Sequence, residues 1–581
     1  MAAQPYAAAG MLVVSLDTQV PPELAIGTGT ALFLCGWCVS RAGRVAELEF
    51  VVDGEAQPVA AHGMPRIDVF RALHPALDPY GAGSADPGSA DDPGLHGYAC
   101  GFWGTVRVRP AGRDVVFGLR ARLDDGSMVE TEIGRSAVVD VGGGPVSGAP
   151  SGVAVCMATY NPDAELVRRQ LDSIRAQTYT DWTCVISDDC SEPARFAELQ
   201  AIVGDDPRFV VSRSARRLGF YGNFERALSL APAGAAYVAL ADQDDRWHTD
   251  KLATLVAAIG GAQLVYSDAR LVRPDGTVTS DTYWVARANN HADITSLLVA
   301  NAVSGSASLL RRDLLGLALP FPPAQFAHFH DHWLGLCALA RGEIAYVDRP
   351  LYDYIQHAGA ALGHAAANQI TGVRERLSSL RRDPADRVRV YRGIYFVDAA
   401  RLTQFATILL LREPSMAPAK RRALETFLAA DTSLLAAARL WLRGAREYVG
   451  RPETLGAERG LAYAFAWRRL LRATARERAQ RRGRLDAVPP PDFAPAPGRV
   501  RPPGPVRDVA EKIAPLRLHL RDDGPPRINV LVPTIDLAHL FGGYIGKFNL
   551  ARRLAERGAR VRLVTVDPVG PLPADWRARV A

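Results

Sequence analysis

Asp242, Asp244 and Asp245 crowd together in "VALADQDDRW", at the point where an apolar run meets polar sequence. Carboxylates that close repel one another, so the cluster holds a cation, does acid–base work, or lies in water. Two upstream runs end in a similar way: "VAVCMATYN" closes on Thr159, Tyr160 and Asn161, and "TCVISDD" closes on Asp188 and Asp189. Downstream, Asp331 in "FAHFHDHWLGL" stands ahead of an apolar helical face. On its own it reads as the N-cap of that helix. His357 in "YIQHAG" is a further polar candidate, and Asp245 reads as a cap for "RWHTDKLATLVAAI". A D-x-D arises by chance in a chain with 62 acidic residues. Several polar strand ends on one edge of an open α/β sheet are a stronger signal, because ligands bind at that edge.

The elements that must position these residues change in kind along the chain. Residues 10–142 hold short alternating runs such as "ALFLCGWCVS", "VAELEFVVDG" and "RDVVFGLRARL", separated by turn residues, and predict a β-sandwich. From 150 to 365, strands alternate with amphipathic helices, which predicts an α/β layer with a parallel sheet. Residues 366–485 read as a helical extension, and 486–526, with "AVPPPDFAPAPGRVRPPGP", as a Pro-rich linker. Residues 527–581 read as strand, Gly-rich turn, helix and strand.

In order and approximate spacing, "ATYNP", "SDDCS", "RRLGFYGNFERAL", "LADQDDRW", "NAVSGSASLLRRDLL", "HDHW" and "YIQH" resemble an inverting family 2 glycosyltransferase with the GT-A fold. The resemblance covers 150–365 and is nearest to the bacterial subgroup that builds surface polysaccharides, which includes many rhamnosyltransferases. It implies that Thr159, Tyr160, Asn161, Asp188, Asp189, Gly219, Asn223 and Asp242 contact the nucleotide of a nucleoside-diphosphate sugar. It implies Mg²⁺ or Mn²⁺ near Asp244, with Asp242 and His357 beside it, and Asp331 as catalytic base. Gly305, Ser306, His330 and Trp333 fall on the acceptor side, facing a glycan or lipid-linked glycan. For Gly219, Asn223, Gly305 and Ser306 a structural turn is an equal reading, and for His357 an ordinary loop residue is. The chemistry is coherent: a hard cation on one or two carboxylates offsets the charge that develops on a departing diphosphate. More loosely, 527–581 resembles the opening unit of a GT-B glycosyltransferase, with Gly542 and Gly543 at a helix start. Its donor-binding half lies outside the sequence, so this segment is expected to be a fragment of a longer two-transferase protein or the product of a reading frame that ends early.

The composition is that of an ordered protein: 581 residues, 48% hydrophobic, with a net charge of +6 that is too small to argue for nucleic acid. Seven cysteines suit a reducing compartment, and "CGWC" at Cys35–Cys38 lies in a strand-like run, where buried thiols are expected in place of redox chemistry. Neither a signal peptide nor a membrane-spanning run is evident. The expectation is a cytoplasmic protein, peripheral at the inner face of the membrane where its acceptor is lipid-linked. "WRRLLRATARERAQRRGR", with Trp467, Leu470 and Leu471 on an apolar side, reads as a helix for anionic lipid or as a solvated helix end. The competing functions are a catalytically decayed glycan-binding scaffold and a nucleotidyltransferase. The latter lacks support, since "ATYNPDAE" has neither a Gly-rich loop nor a basic residue for a triphosphate.

Overall fold

The computed structural model describes residues 12–40, 43–73, 97–110, 112–140, 152–284, 287–356, 384–450, 452–481, 528–532, 554–555 and 561–565. The chain divides into two compact units, Met1–Ala494 and Pro495–Ala581.

The first unit opens with β1 (Leu12–Leu16), β2 (Glu23–Ala25), β3 (Thr30–Ser40), β4 (Val45–Val52), β5 (Glu55–Pro58), β6 (Ala61–Met64), α1 (Ile67–Leu73), β7 (Gly101–Val108), β8 (Asp114–Leu123) and β9 (Met128–Val139). They form two sheets, in the orders β1-β3-β7-β6 and β2-β9-β8-β4-β5. Leu32, Leu34, Phe50, Phe102, Val106, Phe117 and Leu119 fill the core between them. In β8 the buried residues Val115, Phe117, Leu119, Ala121 and Leu123 recur at every second position, as one face of a strand requires. The longer apolar run of β3 has a different cause. Leu32 and Leu34 face the sandwich core, while Ala31 and Phe33 join the core of the rest of the unit. A strand buried on both faces loses the polar alternation. The same geometry disposes of "CGWC": residues three apart in a strand point to opposite faces, and burial pushes both Cys35 and Cys38 up to about 12.

The central layer comprises β10 (Val153–Thr159), α2 (Ala164–Arg175), β11 (Trp182–Asp188), α3 (Pro193–Val203), β12 (Phe209–Arg213), α4 (Gly219–Ser229), β13 (Tyr237–Ala241), β14 (Arg246–Trp247), α5 (Lys251–Ala258), β15 (Leu264–Val272), β16 (Val278–Ser280), α6 (Ile294–Val299), β17 (Ser308–Arg311), α7 (Leu315–Ala318), α8 (His330–Arg341) and β18 (Ile344–Ile355). The sheet order is β12-β11-β10-β13-β17-β15-β18-β14, with β16 on β15. β10 to β13 run parallel, whereas β17 is antiparallel to both of its neighbours. The fold is therefore mixed α/β, not purely parallel.

Five helices follow: α9 (Pro384–Ile394), α10 (Ala400–Arg412), α11 (Pro418–Ala429), α12 (Leu434–Gly444) and α13 (Ala457–Arg481). They share one core with the central layer and the outer face of β3, so the sandwich, the α/β layer and the helices are not independently packed bodies. Gln325 exchanges hydrogen bonds with the backbone of Phe33, at 2.7 and 2.9 Å, and Gln404 of α10 donates to Ala31 O at 2.8 Å. Among the described residues one helical run, Val390–Arg412, is long and apolar enough to cross a membrane by length and composition. In this fold its Leu402, Phe405, Ile408 and Leu409 are wholly buried in that shared core. In the second unit β19 (Ile528–Val532) pairs in parallel with β20 (Val561–Thr565), and Gly542 and Gly543 lie outside the described residues.

Arg412 closes the junction. Its buried guanidinium donates to Gly29 O and Pro320 O at 2.6 Å, to Leu317 O at 3.1 Å, to Ala318 O at 3.2 Å and to Ile26 O at 3.4 Å. Arg412→Met leaves these carbonyls without their donor. It is expected to lower unfolding free energy by at least ~2 kcal/mol in urea denaturation, while Arg349→Ala, an exposed pair with Asp250, changes it by under ~1 kcal/mol.

Candidate active site

The parallel register sets Thr159 beside Asp188 and Met157 beside Ala241, so the ends of β10, β11 and β13 open onto one edge. Asn161 at φ +40° and Cys190 at φ +59° adopt left-handed backbone that non-glycine residues rarely take. Hydrogen bonds hold the turn: Asn161 N donates to Ser191 Oγ at 2.8 Å, and Glu192 N donates to Asn161 Oδ1 at 2.7 Å. The wholly buried Asp188 carboxylate accepts from Ser191 N at 3.0 Å, from the Ser191 hydroxyl, and from Thr159 Oγ1 at 3.3 Å. Asp189 accepts from Leu218 N at 2.5 Å and Gly219 N at 2.9 Å, pinning the start of α4. Gly219, at φ +77°, lets the chain turn there. Both acids of "SDD" thus hold the loops at this edge of the sheet. Tyr160 is fixed from two sides. Its N–H donates to Gln243 Oε1 at 2.9 Å, and Arg217 donates to its hydroxyl at 2.9 Å while lying 3.8 Å over the ring.

Asn223 departs from the sequence-based expectation. It is buried, donates to Thr159 O at 3.2 Å and Ser187 O at 2.9 Å, and accepts from Ser187 Oγ at 2.7 Å. An amide with both ends used inside the protein ties two strands together and does not line a donor pocket.

The acidic cluster follows β13 as a shelf. Ser306 Oγ donates to Asp242 Oδ2 at 2.6 Å. Beneath lies Lys251, fully buried, 3.8 Å from the Trp247 ring and 4.8 Å from the Tyr352 ring, with its ammonium donating to Ser306 O. Burial, and then the charge of Asp244, raise Asp242 to about 6. Asp245 is pushed well up by burial and by both neighbouring acids, and its buried Oδ2 has no hydrogen-bond partner among the described residues. It is not a helix cap: α5 begins at Lys251, behind an N-cap at Asp250. Burial pulls the Lys251 ammonium well below the ordinary lysine range, against the opposing charges of Asp245 and Asp242, so it does not offset the carboxylates. An orphaned buried oxygen and surplus negative charge on hard ligands fit a divalent cation. Among the described residues no three His, Cys, Asp or Glu side chains converge on one point, so such a cation would complete its shell with phosphate and water oxygens. His357 lies outside the described residues.

α8 starts at His330 behind an N-cap at Phe329, so Asp331 is its second residue and not its cap. The Asp331 carboxyl accepts from His332 N at 2.6 Å and from the amide of Gly305. Burial, assisted by the charge of Asp242, still lifts it to about 7. His330 stacks on Phe224 at 3.7 Å, and burial drops it to about 3, so it is a neutral packing ring. Trp333 is a correction: it is wholly buried, donates to Ala318 O at 2.8 Å, and packs the core, away from any acceptor. Sequence reasoning missed three groups at the site. Lys251 gave no signal beyond being a lysine. Tyr283 lies close enough to Asp331 for that charge to raise its hydroxyl. Half-exposed Phe220 stacks on Phe329 at 5.9 Å, beside the start of α8.

Gly305 must stay glycine. A Cβ there would fall 2.6 Å from His330 Nε2 and 3.6 Å from Asp331 Cβ, and His330 is wedged against Phe224. Gly305→Ala is expected to cost ~1–3 kcal/mol of stability in denaturant titration. Turnover should fall more than donor affinity, because the displaced group is α8.

Residues 154–316 match the family model described as Glycosyl transferase family 2. The uncharacterized protein y4gI of Sinorhizobium fredii (strain NBRC 101917 / NGR234) is 34% identical over 132 residues, which are 22% of this chain and 14% of that protein. Among solved structures, S. aureus TarS 1-349 in complex with UDP-GlcNAc is 16% identical, with a TM-score of 0.33, covering 53% of this chain and 90% of TarS 1-349. The mannosyltransferase PcManGT from Pyrobaculum calidifontis, in complex with GDP-Man and Mn²⁺, is 18% identical, with a TM-score of 0.27, covering 57% of this chain and 89% of its own. The family match places a Glycosyl transferase family 2 domain on residues 154–316, which carry Thr159, Asp188 and the Asp242–Asp245 cluster, and the chain spans 14% of the length of the curated relative it matches.

Proposed function

We propose that the protein transfers a sugar from a nucleoside diphosphate to a hydroxyl of a growing surface or cell-wall glycan, with inversion at the anomeric carbon. The observation that carries this reading is the dipeptide Gly305–Ser306. Its glycine amide holds Asp331, and its serine hydroxyl holds Asp242 at 2.6 Å. One rigid turn therefore spaces a carboxyl fit for proton abstraction from the acidic shelf.

The nucleotide would lie over the Thr159–Asn161 turn, with its diphosphate toward Asp242 and Asp244. Mg²⁺ or Mn²⁺ held by Asp244 and Asp242 would supply charge neutralisation for the departing diphosphate. Asp331 takes the proton of the acceptor hydroxyl as that oxygen bonds to the anomeric carbon, and the carbon–oxygen bond to the diphosphate breaks on the opposite face. A carboxyl raised to about 7 is a stronger base than an ordinary aspartate while still ionised in part at neutral pH. The donor is read as a hexose or deoxyhexose, rhamnose included, and the acceptor as a glycan, free or lipid-linked.

Asp331→Asn should keep nucleotide binding by calorimetry and lose transfer by roughly 10²–10⁴-fold. Asp244→Ala should lose the metal-dependent part of binding. In the wild type, activity should fall as pH drops through about 7, because protonation removes the base. Saturating Mg²⁺ should move that midpoint down by offsetting the charge of Asp242. Asp331→Asn turning over at the wild-type rate would remove Asp331 from the mechanism. Metal-independent nucleotide binding by the wild type would remove the shelf. Absence of nucleoside-diphosphate binding in either metal would favour a decayed, glycan-binding scaffold.

A further inference from the structure

α12, "LLAAARLWLRG", is apolar on both of its sides. Ala436, Ala437, Leu440 and Gly444 face inward, while Leu434 is 74% exposed, Leu435 64%, Leu442 62% and Trp441 38%. The chain continues outward-facing through Tyr448 at 65% and Val449 at 77%. At 100° per residue the exposed side chains fall on one continuous arc, where a helix on a water-facing surface would carry polar residues. The helix is properly started, with Ser433 Oγ accepting from Ala436 N at 3.3 Å, so the apolar arc belongs to a formed helix. Beside it opens a cavity of about 550 Å³, lined by Arg422, Arg439, Arg443 and Arg446 with Phe427 and Leu440. Arg443 and Arg446 are paired, with Asp293 and Glu453. Exposed Arg422 and Arg439 have no carboxylate partner among the described residues.

We propose that this face docks on an anionic phospholipid surface. Leu434, Leu435, Leu442 and Trp441 enter the boundary between headgroups and acyl chains, and Arg422 and Arg439 take lipid phosphates. Charge decides the occupant. A second copy meeting this patch across a two-fold axis would bring the same unpaired arginines toward each other, whereas a phosphate layer neutralises them. Exposed aromatics beside the apolar arc, Trp441 bonded to Tyr463 at 3.0 Å and Tyr448 beyond it, have the amphipathic rings that favour a lipid–water boundary. The surface differs from the one the basic segment of α13 suggested. There Trp467 is buried in the core, and Arg468 is buried against Asp431.

The docked face is mechanically joined to the site. Arg443 bonds Asp293 and, at 2.5 Å, Ser296 Oγ at the start of α6. α6 is tied to α8 by His332 Nε2 and Leu297 O at 2.9 Å. Docking itself does not depend on the glycosyltransferase reading. Where that reading holds, docking brings the base helix to a lipid-borne acceptor.

The test is co-sedimentation of the full chain with vesicles of phosphatidylcholine alone or mixed equally with phosphatidylglycerol. Binding to the anionic vesicles and little to the neutral ones is expected. Arg422→Gln with Arg439→Gln should weaken binding roughly 25-fold, about fivefold for each charge lost at the surface. Leu435→Asp with Leu442→Asp should abolish it while leaving soluble-acceptor turnover unchanged, because both side chains are exposed and neither touches a residue of the Asp242–Asp331 site in any contact described above. No binding by the wild type overturns the proposal. So does wild-type binding by both double variants. An apolar variant that converts a dimer to a monomer and still binds vesicles assigns the face to a second copy.

Discussion

Three carboxylates at the end of one buried strand repel one another, and the surrounding structure is arranged to hold them there. Lys251 sits buried beneath with its amine on Ser306 O, Ser306 fixes the orientation of Asp242, and Tyr352 and Trp247 seal the floor. Burial, and then the charge of Asp244, nevertheless raise Asp242 to about 6. A ligand that brings a cation and takes its remaining coordination from phosphate relieves the repulsion.

The same economy governs the far wall. α8 carries Asp331 at its start, and its buried side is braced by α10. Phe405 packs on Trp333 at 5.4 Å, Arg401 approaches His332 Nδ1 at 3.4 Å, and Gln404 bonds His328 at 2.8 Å. α10 in turn rests on β3 of the sandwich through Gln404 and Arg412. The sandwich and the helices are therefore the backing of α8. That accounts for the uninterrupted apolar character of β3, which serves two cores at once.

Strand runs, their polar ends and the order of the motifs were legible because each depends on local pattern. Asp331 could be picked out in the same way, although its place in α8 could not. What stayed hidden depends on tertiary placement. Asn223 and Trp333 are residue types found at both sites and cores, and only their partners show that one clamps strands and the other packs. Asp188 and Asp189 looked like ligand contacts, yet their oxygens are engaged in holding loops. Lys251 stands near Asp245 in sequence, but its burial under the shelf needs β18 and Trp247 to close over it. Helical periodicity does not by itself separate an exposed apolar side from a buried one. Trp467 is apolar and flanked by arginines but buried, whereas α12 shows an apolar exposed side that a buried helix would share in sequence.

The central claim is that the Asp242–Asp244 shelf and Asp331 are two walls of one donor site. Anomalous diffraction from crystals soaked with Mn²⁺ and a nucleoside diphosphate tests it most directly. The account predicts one manganese peak on Asp244, shared with diphosphate oxygens, with the base over the Thr159–Asn161 turn and the open face of the phosphate toward Asp331. A nucleotide bound elsewhere, or manganese bound with no contact to Asp242 or Asp244, would contradict it.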